Sequence, residues 1–221
     1  MNAKPSFWVR NGLSLALLTC FLLFWLAQAL TGHHEYNREQ LEKGLSSLSL
    51  GKYLHTGHFL STTFENWESE FFQMLVYVLF TISLRQQGSA ESKSLGGEEA
   101  EDKPPQVHPK APWAVKKGGI WLKLYANSLS FALFLLFIFS FGLHAYGSYE
   151  DYRERQNYTH DIVEPFGRYM SGSRFWFESF QNWQSEFLAV LTIVFLSIYL
   201  RQKGSPESKA VDAPHRQTGK E

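Results

Sequence analysis

Two acidic residues, Glu70 and Glu186, sit in matching contexts: Asn66-Trp67-x-Ser69-Glu70-Phe71 and Asn182-Trp183-x-Ser185-Glu186-Phe187. On a helix, residues four apart share a face, so each motif sets a carboxylate beside an amide. That donor set could coordinate a cation or relay a proton. Each motif opens an apolar run, and a charge carried to membrane depth costs about 2.5–3.5 kcal/mol, which makes an intramembrane acid a functional candidate. At the membrane surface the same acid only complements the positive end of the helix dipole, worth about 0.3–1 kcal/mol. The depth of the two acids decides between these readings, and the sequence leaves both open.

Other reactive side chains point to less. His33, His34, His55 and His58 lie in one loop without ligand spacing and read as solvated loop histidines, so no metal is expected. His144 could ligate haem, yet the residue 116 places earlier is Gln28, which leaves no matching second ligand. Cys20 is the only cysteine and cannot form an intramolecular disulfide. There is no nucleophile elbow, phosphate loop or paired-cysteine motif, so neither an enzyme nor a cofactor is expected. The formal charge is zero with no basic block, and nucleic acid is not an expected partner.

The elements that carry these residues are four apolar runs. Those at about 10–30 and 123–146 are each long enough, at 1.5 Å per residue, to cross a hydrocarbon core of about 30 Å. The runs at Phe71–Leu84 and Phe187–Leu200 are shorter. Adding the aromatic turns upstream and Arg85 or Arg201 at the other end extends them to spans at about 66–85 and 182–201. A cleavable signal is an alternative for the first run, since Lys4 and Arg10 precede it and Ala27-Gln28-Ala29 fits a cleavage site. The mid-chain partner of this run, at 123–146, argues against that alternative. The expected fold class is an all-α membrane protein with four transmembrane helices.

Shifting the chain by 116 places lays residues 7–93 on residues 123–209 without a gap, with about a third of positions identical. Asn11-x-Leu13-Ser14-x-Ala16-Leu17 matches Asn127-x-Leu129-Ser130-x-Ala132-Leu133. Leu84-Arg85-Gln86-x-Gly88-Ser89-x-Glu91-Ser92-Lys93 matches Leu200-Arg201-Gln202-x-Gly204-Ser205-x-Glu207-Ser208-Lys209. The reading is a tandem duplication of a two-helix unit: repeats at 1–93 and 118–209, a flexible linker at 94–117 and a disordered tail at 210–221. Through the NW-x-SEF turns and LRQ-x-GS-x-ESK exits, the chain resembles an uncharacterised family of small bacterial membrane proteins, a domain of unknown function. The resemblance implies the bacterial inner membrane and carries no activity or site residues with it.

Lys and Arg are about twice as frequent in the amino-terminal segment, linker and tail as in the other two loops, which places both termini and the linker in the cytoplasm. Two crossings per unit then make the repeats parallel. The residues shared between the copies, Trp67, Phe71 and Leu75 with Trp183, Phe187 and Leu191, form one helical stripe read as the packing face, while Phe72, Met74, Val76 and Tyr77 vary and read as lipid-facing. Arg85 and Arg201 read as inner-surface anchors. Leu41, Leu45 and Leu48 suggest a short surface helix in the first loop. The expected role is structural or accessory, within the lipid bilayer, by self-association or with another membrane subunit. The alternative is a small proton, cation or solute conductor built on Glu70 and Glu186.

Overall fold

The structure is a computed structural model that describes residues 6–96 and 99–219. Lys4 of the signal-like start, Gly97 and Glu98 of the linker and the last two tail residues lie outside the described residues. Among the described residues all regular structure is helical, with no strand. Its main elements are α1 (Phe7–Glu42), α2 (Leu50–Tyr53), α3 (Gly57–Ser83), α4 (Trp113–Lys117), α5 (Gly119–Ala126), α6 (Ser128–Thr159), α7 (Phe166–Ser171) and α8 (Ser173–Tyr199). Two of them, α1 and α6, are long and apolar enough to cross a membrane. Helices α3 and α8 reach 27 residues each but carry Glu65, Glu68 and Glu70, or Glu178 and Glu186, in their first halves.

The loops expected after the first and third runs are shortened from both sides: α1 and α6 continue to Glu42 and Thr159, and α3 and α8 begin at Gly57 and Ser173. Leu41 therefore belongs to α1, where it is exposed, and not to a separate surface helix. Ion pairs at helical spacing hold the α1 extension: Arg38 with Glu35 and Glu42, and Lys43 with Glu39. A polar segment can extend a helix whose first turns are already formed, because propagation costs far less than nucleation.

The chain divides into two compact units, residues 1–62 with 146–163 and residues 63–145 with 164–221. The first unit has a core of Ala29, Tyr36, Tyr53 and Phe59, against which Leu48, Leu50 and Leu54 pack. The start of α3 and the far end of α6 touch through glycines in this unit. A Cβ on Gly57 would lie 2.7 Å from the Gly147 carbonyl oxygen, and one on Gly147 would lie 2.5 Å from the Ser61 amide nitrogen. Only glycine permits that approach. Leu13, Leu17 and Phe21 are exposed on α1.

The second unit packs around a side chain that the repeat comparison had assigned to lipid. Phe72 lies 4.5 Å from Trp183, 5.2 Å from Phe137 and 5.8 Å from Phe187, measured between ring centroids. Leu75 is buried as expected, and Trp67 stands edge-on to Phe64, whereas Leu191 is exposed.

The two exit motifs form the same turn. Arg85 Nη1 donates to the carbonyls of Ile82 and Leu84, and Arg201 Nη1 to those of Ile198 and Leu200. The Gln86 amide donates to Ser92 Oγ and the Gln202 amide to Ser208 Oγ, each at 2.9 Å. Gly88 and Gly204 take φ of 87° and 85°, a left-handed conformation that side chains disfavour. These arginines thus satisfy helix-end carbonyls that have no partner within the helix. The tail, read from composition as disordered, is tied back here: buried Lys209 Nζ donates to the carbonyls of Gly88, His215 and Gln217, and the Gly88 amide donates to Thr218.

Candidate functional site

Within the second unit, three helices bring ionisable groups together in the interior. Glu65 and Glu68 lie three apart on α3, Ser140 and His144 four apart on α6, and Glu178 and Asn182 four apart on α8. At those spacings both members of each pair share a helix face. Glu68 and His144 are both completely buried, and His144 Nδ1 lies 3.0 Å from Glu68 Oε2. The second imidazole nitrogen, Nε2, faces Glu178 Oε2 at 3.8 Å. Phe175, itself fully buried, covers the ring at 4.7 Å.

Neighbouring groups hold the carboxylates in place. The Trp183 indole donates to Glu68 Oε1 at 3.3 Å, the Asn182 amide donates to Glu65, and Arg174 Nε donates to Glu178 Oε1 at 3.2 Å. Arg174 is partly exposed, so the set runs from the protein surface through Glu178 to His144 and Glu68. Three hydroxyls, those of Thr63, Ser140 and Ser179, are buried without a hydrogen-bond partner, as is His144 Nε2.

Fully ionised, the set would hold three carboxylates against two cations, His144 and Arg174, a net charge of −1. An imidazole between two carboxyl groups can take a proton on one nitrogen and pass one from the other. Among the described residues no group of three or more His, Cys, Asp or Glu has a geometry that could hold a metal ion.

Of the residues singled out from sequence, His144, Asn182 and Trp183 join this cluster. Glu70 and Asn66 are exposed, and Glu186 is half-buried, within electrostatic reach of Glu70. His144, weighed as a haem ligand, has carboxylates facing both of its nitrogens. His33 and His58, read as solvated, are packed: His33 Nε2 lies 2.8 Å from the Leu48 carbonyl, and His58 Nδ1 lies 3.3 Å from the Tyr53 hydroxyl. Burial holds His58 below its usual range, with Asp151 opposing and Arg155 adding to the effect. Glu68, Glu178 and Glu65 escaped sequence reading because a search for residues shared between the halves passes over them. Their counterparts 116 places away are Gln184, Thr62 and Gln181.

A family model described as Domain of unknown function (DUF6766) matches residues 4–220. The chain belongs to this family. No curated protein and no solved structure matches it. Family membership therefore brings no site residues, and the buried cluster stands on its geometry.

Proposed function

We propose that this is a non-enzymatic bacterial inner-membrane protein that crosses the bilayer four times as two parallel hairpins, with both termini cytoplasmic. Its working part is a proton-exchanging cluster of His144, Glu68 and Glu178 near the outer surface. The carrying observation is the contact of 3.0 Å between two completely buried ionisable side chains on different helices, His144 and Glu68. Breaking such a pair costs about 3–5 kcal/mol, so neither partner is placed there by default.

Several features support the membrane arrangement. Helices α3 and α8 are equally long and offset by 116 residues, and their exits share one hydrogen-bond pattern. Within α6, which begins at Ser128, His144 stands about 24 Å along the axis at 1.5 Å per residue, towards the far interface when the start of α6 lies near the inner one. Arg174 and Glu178 then open the cluster to the outer water. In an accessory role the protein would report protonation to a second copy or to another membrane subunit.

Nuclear magnetic resonance of the chain with 15N-labelled histidine, in lipid nanodiscs, tests the reading. One imidazole signal, absent from H144Q and displaced in E68Q, should change protonation between about pH 4 and pH 10. A His144 signal that never titrates over that range overturns the proposal. Labelling of intact cells that places Pro104 outside the cytosol overturns the topology.

A further inference from the structure

Helix α3 differs from its repeat partner α8 in carrying a polar side chain on every turn beyond the cluster: Ser69, Gln73, Tyr77 and Thr81. The matching positions of α8 are Ser185, Ala189, Ile193 and Ser197, so the run is broken there by two apolar residues. Ser69 is completely buried and Gln73 nearly so, in a helix otherwise lined by Phe, Leu, Val and Ile. A buried amide at that position has no value as hydrophobic packing, and removing it from water costs free energy unless it finds polar company.

The far end of this stripe opens into a cavity. The Tyr77 hydroxyl donates to Glu91 Oε2 at 3.2 Å, and both residues line a cavity of about 820 Å³ whose wall also carries Glu99, Glu101 and Asp102. Hydrogen bonds from Ser94 and from Lys93 hold the Glu99 and Asp102 carboxyls, respectively, below their usual range, so the mouth stays anionic at neutral pH. Residues four apart rise about 6 Å along the axis, a gap one bridging water can span. The rise from Glu68 to Tyr77 is about 13 Å, and the cavity takes over from there.

We propose that protons cross the membrane along α3. They enter at Glu178, pass through His144 and Glu68, move by way of Ser69, Gln73 and Tyr77, and leave through Glu91 into the acidic cavity. This rests on the reading of the cluster as a proton site and of α3 as a span. Each transfer breaks one N–H bond at His144, or one O–H bond of a carboxyl, hydroxyl or bridging water, as a new bond to hydrogen forms on the next atom, Gln73 holding water in place without changing its own protonation, so no co-reactant is consumed. The groups facing His144 are Glu65 and Glu68 from α3 and Glu178 from α8, the last held by Arg174.

The test is proton uptake into proteoliposomes loaded with a pH-sensitive dye and driven by a potassium diffusion potential. The full chain should carry a proton current unchanged when external sodium is replaced by choline. Gln73→Leu and the near-isosteric Tyr77→Phe should each lower it at least tenfold while the His144 resonance titrates as in the parent. Circular dichroism and that resonance report folding of each variant. No proton current from the parent, a current that follows sodium, or Q73L and Y77F both conducting at the parental rate overturns the route. In each of these cases the titration of His144 is a separate result that judges the cluster itself.

Discussion

Replacing Glu68 with Gln, the residue found 116 places later, tests the buried pair with almost no change in shape. At 3.0 Å and an effective dielectric of about 20, the Coulomb attraction between charged His144 and Glu68 is about 5 kcal/mol. Desolvation of both groups cancels much of it. His144 and the Trp183 indole meet different oxygens of Glu68, so Glu68→Gln keeps an acceptor for only one of them and sets an NH2 group against the other; the expected loss is about 2–3 kcal/mol, that of a charge-assisted hydrogen bond. Glu68→Leu also strands the imidazole and should cost about 3–5 kcal/mol. A double-mutant cycle with His144→Gln isolates the pairwise part, expected at about 2 kcal/mol. Equilibrium unfolding in mixed detergent micelles measures it, and Trp183 fluorescence reports on the site directly because that indole is hydrogen-bonded to Glu68. A coupling energy below about 0.5 kcal/mol would mean that the two groups are neighbours without being partners, and the argument from the pair would fall.

Gly147→Leu should separate α6 from the start of α3, since even a Cβ there comes within 2.5 Å of backbone; a loss of about 1–3 kcal/mol is expected by analogy with overpacked cores, and an unchanged melting temperature would contradict the close crossing. Lys209→Met removes an ammonium that donates to several carbonyls, at about 1.5–3 kcal/mol for a charged donor, and should release the tail to limited proteolysis near His215. Glu154 is held above the usual carboxylate range, first by burial and then by Asp151 and Glu150, with the Tyr36 hydroxyl opposing at 3.1 Å. A carboxyl with a raised folded-state pKa binds its proton more tightly when folded, so its stabilisation is present at low pH and lost as pH rises through the folded value. Hydrogen exchange around Tyr36 should therefore slow as pH falls from neutrality through the carboxylate range, after correction for intrinsic exchange rates, and E154Q should lack that dependence.

What could be read from the chain alone is what local pattern controls. Apolar runs of spanning length made the helices α1 and α6 legible, and the exit motifs fold as compact turns because their hydrogen bonds join residues a few places apart, Gln86 to Ser92 and Gln202 to Ser208. Asn11 and Asn127 both donate to the carbonyl four residues earlier, another local contact visible in the repeated motif. Burial of the acids was not legible. Glu68 and Glu70 are two residues apart, about 200° around the helix, and nothing in their spacing says which one faces inward. That depended on α6 presenting His144 and α8 presenting Glu178, groups 76 and 110 positions away from Glu68 by sequence number. Comparing the halves directed attention to shared residues, while the cluster is made of residues that differ between them. Tertiary packing chose one face of α3 because an ionisable side chain can be buried only where an opposite charge from another helix arrives to meet it.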